Sequence, residues 1–235
     1  MKKNYSIVLI CALLTATLMF STVALAKGDL KKKPKNPIIG EGTPVDPNGP
    51  LELDKSQMLS IEEITEPLGE YAIVVYINVP CDEEWRATYQ TAWKSQANYA
   101  IEVADNKLYE WFTIDYRTAN YNEWDSNDTF ESLGLLNEAV WEIGLQGKDI
   151  MIAYSAQRID DGVAGRSYWG GPYALVRKQG SGTDWKVTRH ESGHNYGQSH
   201  CSGACIMNGS SSFYNYASYI CSSHKTNWYG NRYWY

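Results

Sequence analysis

Residues 190–200 read HESGHNYGQSH and hold three of the chain's four histidines, His190, His194 and His200. Residues four apart lie on one face of a helix, so His190 and His194 can direct two imidazoles at one point. Gly197 can adopt a positive φ angle and end the helix, which allows His200 to approach that point from another direction. The spacing therefore predicts a metal site with three histidine ligands.

The ligand set indicates which metal chemistry to expect. Three neutral imidazoles on Zn²⁺ leave one tetrahedral position for water, as in catalytic zinc sites. Glu191 is rotated about 100° from His190 on a helix, so it lies off the ligand face and can reach that water instead. The alternative is a set of ordinary histidines on an amphipathic helix, or a relative that kept the pattern but lost activity. We favour a catalytic zinc site with Glu191 as general base.

The same string fits H-E-x-x-H-x-x-G-x-x-H at all five specified positions and resembles the signature of the metzincin zinc endopeptidases. That signature also includes a methionine in a tight turn beneath the metal. Met207 follows His200 by seven residues, within Cys205-Ile206-Met207. The C-I-M triplet and the H-E-x-G-H-N-x-G helix are most similar to the adamalysin-like branch and to small secreted bacterial metzincins.

The resemblance implies an α+β catalytic domain. Its parts are a twisted mixed sheet, two long helices above the cleft, and an irregular lower subdomain with the Met-turn and a C-terminal helix. Gly162, Val163 and Ala164 match the place where the adamalysin-like branch carries an edge strand, with which an extended substrate would pair. Met207 is expected to be an apolar floor beneath the imidazoles and not a ligand.

Three residues around the motif are unusual. Cys201 follows the third histidine, where the adamalysin-like branch usually has Asp. Gly209 stands where some metzincins have a tyrosine that becomes an extra ligand. Gly193 lies inside the helix at a cost of about 1 kcal/mol against alanine, which predicts close approach of another backbone segment, at the Met-turn.

Residues 1–26 are predicted to be a signal peptide. Lys2 and Lys3 precede an apolar run over 7–20, and Ala24-Leu25-Ala26 forms a small-x-small cleavage site. The alternative is an uncleaved membrane anchor, since residues 7–26 carry no charge and nearly reach a bilayer-spanning length. The cleavage site favours removal, so we expect a secreted, extracellular monomer without stable membrane association.

Residues 27–68 hold six of the eight prolines and a lysine run at 31–33. Such a stretch cannot bury enough apolar surface to fold alone. It is either a flexible linker or a pro-segment that lies in the cleft until it is removed. It contains no cysteine, which excludes a thiolate latency switch within it; Asp46 or Asp54 is a candidate carboxylate ligand but more simply a solvated acid.

Four cysteines remain once Cys11 leaves with the signal. An even number in an exported chain suggests two disulfides, with three possible pairings. We expect Cys201–Cys205, which would stiffen the loop before the Met-turn, and Cys81–Cys221, which would tie the N-terminal part to the C-terminal helix. The alternative is a Cys-x₃-Cys pair of zinc ligands. His224 is interpreted as an ordinary, partly exposed histidine.

Charge and composition limit the classes of molecule that the protein is expected to bind. Residues 27–235 carry 19 basic and 27 acidic side chains, a net charge of −8, and nothing indicates nucleic-acid binding. A loop with Asp125, Asn127 and Asp128 is a candidate Ca²⁺ site, although a solvated turn is the simpler interpretation. The terminal aromatics at 228–235 form either a sugar- or peptide-binding surface or part of the core; we favour the core.

Hydrophobic periodicity predicts the elements of the catalytic domain, residues 69–235. Strands are expected over 71–79, 108–116 and 149–154, helices over 82–103, 130–143 and 213–223, and an edge hairpin over 162–177. Thr183 or Asp184 can cap the motif helix.

The sequence thus predicts a secreted zinc-dependent endopeptidase in which Glu191 acts on a zinc-bound water. The alternatives are a secreted carbohydrate- or peptide-binding module with a degenerate zinc site, and zinc-dependent hydrolysis of a non-peptide amide. The intact Glu191 argues against the first alternative. The edge-strand and Met-turn features, which resemble peptide-cleaving relatives, argue against the second.

Overall fold

The computed structural model describes residues 38–39, 42–44, 72–127 and 129–235. The predicted signal peptide, most of residues 27–68, and Asp128 lie outside these ranges. Within the described ranges, no helix combines the length and apolar character needed to cross a bilayer.

A mixed sheet forms the frame of the molecule. Its order is β1-β6-β7-β5-β3-β4, and β2 also pairs with β6. Strands β4, β3, β5 and β7 are parallel neighbours, whereas β6 runs antiparallel to β7. The strands are β1 Ile38–Ile39, β2 Thr43–Pro44, β3 Ile73–Cys81, β4 Ile114–Glu123, β5 Ile150–Ser155, β6 Val163–Trp169 and β7 Tyr173–Arg177. The predicted α+β class with a mixed sheet is confirmed, as is the hairpin of β6 and β7.

Helices cover both faces of the sheet. They are α1 Glu83–Tyr89, α2 Trp93–Phe112, α3 Ser132–Glu142, α4 Asp184–Asn195 and α5 Ser222–Asn231, with 3₁₀ turns at Gln90–Ala92 and Ser211–Tyr216. Strand β5 is buried throughout. Ile150 and Ile152 on one of its faces join the core beneath α2 and α4, whereas Met151 and Ala153 on the other join the core beneath α3. The sheet is therefore covered on both sides, which explains the continuous apolar sequence of this strand.

The predicted boundary between the first long helix and the next strand is wrong. Helix α2 continues to Phe112, across the start of the strand expected over 108–116. Ala104, Leu108 and Phe112 are fully buried, and their spacing of four residues places them on one helical face. Thr113 has a φ of 58° and ends the helix, so the strand begins only at residue 114.

The last helix also differs from the prediction of 213–223. A 3₁₀ turn occupies Ser211–Tyr216, and α5 begins at Ser222. His224, Trp228 and Asn231 are the buried residues of α5, spaced three or four apart. The buried face thus lies later in the chain than the apolar residues around 213–220 suggested.

The aromatic C-terminus contributes to the core. Trp228 is fully buried, and its ring stacks on Phe112 at a centroid distance of 5.0 Å. Tyr196 lies between Trp228 at 5.8 Å and Tyr235 at 5.2 Å. The described structure therefore agrees with packing as the role of Trp228 and Tyr235, while Tyr229 remains exposed.

The buried side chain of Arg189 links the motif helix α4 to helix α2 and to the segment after the second 3₁₀ turn. The Arg189 guanidinium donates to the carbonyls of Val103 and Ala104 at the end of the third turn of α2, and to that of Ala217 after the 3₁₀ turn. Since Arg189 immediately precedes His190, these bonds fix the position of the motif helix relative to α2 and to the segment around Ala217.

Candidate metal centre

Helix α4, which carries the motif, is anchored to the preceding loop at its N-terminus. Thr183 occupies the N-cap position but makes no side-chain capping bond. The Asp184 carboxylate instead accepts the amides of Gln179 and Gly180, at 2.6 and 3.0 Å. Burial raises the pKa of Asp184 to about 7, against the lowering effect of these two bonds. Asp184 thus anchors the preceding loop to the helix.

The three motif histidines converge. Their Nε2 atoms form a triangle with sides of 3.1 Å (His190–His194), 3.0 Å (His190–His200) and 3.1 Å (His194–His200). One point can lie about 2 Å from all three nitrogens, which is the zinc–nitrogen bond length. The predicted ligand set therefore has the geometry needed to bind one ion.

The ring orientations also suit a metal. His190 Nδ1 lies 2.7 Å from the Ile206 carbonyl, and His194 Nδ1 lies 2.7 Å from that of Gln198. A carbonyl can only accept, so each Nδ1 carries the proton and each Nε2 presents a lone pair to the centre. Lone pairs facing one another at such distances repel unless a cation lies between them.

Electrostatics keep these imidazoles neutral. Burial, followed by the neighbouring histidines, lowers the pKa of His190 well below its usual value, and the same causes lower the pKa of His194 to about 3. Both rings are therefore ready to bind a metal at neutral pH without first losing a proton.

Two glycines allow the third histidine to approach. Gly197 has a φ of 76°, as predicted for the residue that ends the helix. A Cβ atom on Gly209 would lie 3.0 Å from the His200 Cβ, so the chain after the Met-turn passes directly against His200. A tyrosine at position 209, as in some metzincins, would therefore require this loop to move.

The Glu191 carboxylate lies next to the edge strand. Glu191 is fully buried, and Ser167 Oγ on β6 donates to its Oε2 at 2.6 Å. A Cβ on Gly165 would meet Glu191 Oε1 at 2.6 Å, so only glycine lets β6 lie this close. Neither residue was predicted, because they are more than 20 positions from Glu191 and follow no spacing pattern.

Met207 lies beneath the motif helix. A Cβ on Gly193 would meet Met207 Sδ at 2.2 Å and Trp228 Cζ3 at 3.1 Å. The close approach predicted for Gly193 is therefore present, although a side chain makes it. Because the neighbouring Ile206 carbonyl holds His190, the Met-turn supports the first ligand directly.

The residues predicted to bind substrate lie at the start of β6. Gly162 has a φ of 71° and precedes the strand, in which Val163 and Ala164 come first. Segments of residues 27–68 pair antiparallel with this strand. Ile38–Ile39 pairs with Trp169 and Tyr168, and Thr43–Pro44 with Gly165 and Val163.

The predicted disulfides are absent from the structure of residues 72–127 and 129–235. Cys81, Cys201, Cys205 and Cys221 are all free thiols there. Cys81 is buried in the core at the end of β3 and forms no bond with Cys221 there. Cys201, Cys205 and Cys221 instead lie around His224, which is buried, so its interpretation as an ordinary, partly exposed histidine is wrong.

The described residues contain two groups of potential metal ligands that lie close together. One is the histidine triangle and the other is the group of three cysteines with His224. Asp125 and Asn127, from the loop considered for Ca²⁺, belong to neither group, and Asp128 lies outside the described residues.

Comparisons with known proteins agree with this geometry. Residues 72–233 match the family model described as metallo-peptidase family M12 (Reprolysin_5). No curated protein matches the chain. The crystal structure of archaemetzincin from Methanopyrus kandleri is similar, with a TM-score of 0.52 and 14% identity over 67% of this chain and 95% of that chain. This likeness shows a metzincin-like fold.

A chain from a structure of a chaperone–substrate complex has a TM-score of 0.49 and 13% identity over 59% of this chain. The match spans 28% of that chain.

Proposed function

Because this chain belongs to metallo-peptidase family M12, we propose that it is a secreted zinc-dependent endopeptidase with Glu191 as its general base. The observation that carries this proposal is the triangle of Nε2 atoms beside a buried carboxylate on the same helix. Family membership supports protein or peptide substrates. Secretion rests on the signal-like sequence of residues 1–26.

The described side chains divide the chemistry among them. His190, His194 and His200 would hold the zinc ion, which when bound polarises the scissile carbonyl and makes water more acidic. The Glu191 carboxylate takes a proton from the attacking water and passes it to the nitrogen of the leaving amine. The hydrogen bond from Ser167 orients that carboxylate.

Strand β6 provides the substrate-binding edge in this proposal. An extended peptide can add to such an edge through main-chain hydrogen bonds, with little demand on its sequence. The antiparallel pairing of Ile38–Ile39 and Thr43–Pro44 with β6 supports this, because these two segments of the same chain pair with that edge.

The same pairing supports residues 27–68 as a pro-segment. Strand β2 pairs with Gly165 and Val163 and also contacts helix α4, which carries Glu191. A substrate strand and the segment would therefore compete for one edge. We propose that the segment keeps the enzyme latent until it is removed.

Glu191→Gln tests the general-base role. The change preserves size and hydrogen bonding but removes the base, so casein cleavage should fall by about 10²- to 10⁴-fold. Zinc content, measured by elemental analysis, should stay at the wild-type value. Glu142→Gln, at the exposed end of α3, is the matched control and should leave cleavage unchanged.

Three results would count against the proposal. Near-normal cleavage by Glu191→Gln would remove Glu191 from the mechanism. Casein cleavage that persists after chelation would exclude zinc-dependent hydrolysis, and no cleavage by the processed wild-type protein would favour a binding module.

A further inference from the structure

Three cysteines and a histidine converge in the lower part of the molecule, outside the histidine triangle. The Sγ atoms of Cys201, Cys205 and Cys221 and a ring nitrogen of His224 all lie within 4.8 Å of one another. His224 Nδ1 is 3.0 Å from Cys221 Sγ and 3.4 Å from Cys205 Sγ. Ligands around a tetrahedral zinc ion, with Zn–S bonds of about 2.3 Å, lie roughly 3.5 to 3.8 Å apart.

The sequence supplies these four groups as two short pairs. Cys201 and Cys205 are four residues apart, and Cys221 and His224 are three apart at the start of α5. Closely spaced pairs of this kind, brought together from two parts of the chain, are typical of structural zinc sites. A disulfide would use two of the sulfurs and leave the third as a free thiol beside the imidazole, whereas a metal ion would use all four groups.

The surroundings of Cys221 favour a thiolate. The Cys221 amide donates to Cys205 Sγ at 3.3 Å, and Ser223 Oγ lies 3.3 Å from Cys221 Sγ. Cys221 also occupies the N-cap position of α5, where the helix dipole stabilises negative charge. His224 hydrogen-bonds the backbone of Ser199, which fixes the orientation of its ring.

We propose that Cys201, Cys205, Cys221 and His224 bind a second zinc ion in a closed structural site. Four protein ligands complete a tetrahedron and leave no position for substrate or water. Three thiolates and an imidazole are a ligand set that selects Zn²⁺ over harder divalent cations. Binding releases the thiol protons to solvent, so the ion is held more tightly as pH rises toward neutrality.

The position of the site indicates what the ion stabilises. Cys201 follows His200 directly, and its amide donates to the Met207 carbonyl at 2.9 Å. The Gly209 amide donates to the Cys201 carbonyl at 3.0 Å. The second ion therefore joins three pieces: the loop that carries His200, the Met-turn, and helix α5. It takes the place of the disulfide framework that the sequence suggested.

Metal counting and cobalt spectroscopy test the proposal on the whole purified chain. The wild-type protein should contain two equivalents of zinc. After replacement by Co²⁺ it should show thiolate-to-cobalt charge-transfer absorption, which a site of three histidines cannot produce. Cys221→Ser should lose one equivalent and this absorption. His194→Ala should lose one equivalent but keep the absorption.

Thiol counting provides a test that needs no variant. The denatured, chelated wild-type chain with its signal removed should react as four free thiols. One equivalent of zinc, no charge transfer and only two reactive thiols would show a disulfide and overturn the second site. Failure of the catalytic proposal would give a different result. The thiolate-to-cobalt absorption would persist, but His194→Ala would not lower the zinc content.

Discussion

The Ser167 hydroxyl, which lies outside the motif, contacts the Glu191 carboxylate. Ser167→Ala removes the donor to Oε2, and a hydrogen bond to a carboxylate favours its charged form. The base must be charged to act, so the acidic limb of the kcat/KM profile should move to higher pH. Activity at low pH should fall about tenfold, with little change above pH 8.

The pH profile distinguishes a hydrogen bond that favours the charged form of Glu191 from a merely structural role of Ser167. Ser167→Thr keeps the hydroxyl and should restore the wild-type profile. A profile that Ser167→Ala scales down evenly at every pH would contradict the proposed effect on Glu191.

Gly193 is the second residue whose identity is set by a contact. In Gly193→Ala the new Cβ would lie 2.2 Å from Met207 Sδ, and overpacking of this kind costs about 1–3 kcal/mol. The better helix propensity of alanine offsets up to about 1 kcal/mol of this. We expect a lower free energy of unfolding, measured by urea denaturation of the metal-loaded protein.

Gly230→Ala is the control for that measurement. Gly230 lies in helix α5, and no atom lies within 4 Å of a Cβ built there. The substitution should therefore leave stability unchanged or raise it by up to about 1 kcal/mol. Equal effects at positions 193 and 230 would show that the Met-turn contact is unimportant.

The site residues differ in how far the sequence could predict them. His190, Glu191 and His194 lie within five residues on one helix, so local geometry alone brings them together. Ser167 contacts Glu191 only because β6 crosses helix α4, and His224 meets the cysteines only through the fold of the lower part. Non-local contacts of this type leave no periodic signal in a single sequence.

At the level of elements, strand β6 holds the most consequential pairing. It contacts the motif helix on one side and accepts β1 and β2 along its edge. The sequence predicted β6 as part of an edge hairpin over 162–177. It could not predict the two-residue strands β1 and β2, which are too short to show a period.

Gly42→Val tests the latent state proposed for the intact chain. A Cβ at Gly42 would lie 2.5 Å from the Val163 side chain, so a larger residue should push the segment off β6. We expect faster cleavage of a quenched peptide by the uncut protein, approaching the rate after removal of residues 27–68. An unchanged rate, with the cut form more active, would place the inhibitory contact elsewhere.

At the scale of the whole molecule, the C-terminal residues close the core around the motif. Trp228 stacks on Phe112 at the end of α2 and contacts Gly193 on α4. Trp234 packs against Gly197, where the motif helix ends. The upper helices and the lower part of the chain therefore share one apolar core, which Arg189 reinforces with three hydrogen bonds to backbone carbonyls.

Trp228→Ala and Tyr229→Ala separate core packing from a binding surface. Trp228 is fully buried, so its truncation should cost about 3–5 kcal/mol of unfolding free energy. Tyr229 is 51% exposed, and its truncation should cost less than about 1 kcal/mol. A large loss of stability at Tyr229 would contradict the packing described, as would a negligible loss at Trp228.

The pairing of β1 and β2 with β6 has a consequence for activation. In the proposed latent state the inhibitory segment is part of the same chain as β6, and such tethering gives effective concentrations of up to about millimolar. A single cut between residues 44 and 72 turns it into an ordinary dissociable peptide. Activity would then emerge at the rate at which that peptide escapes, and crowding many freshly cut molecules together would slow its appearance.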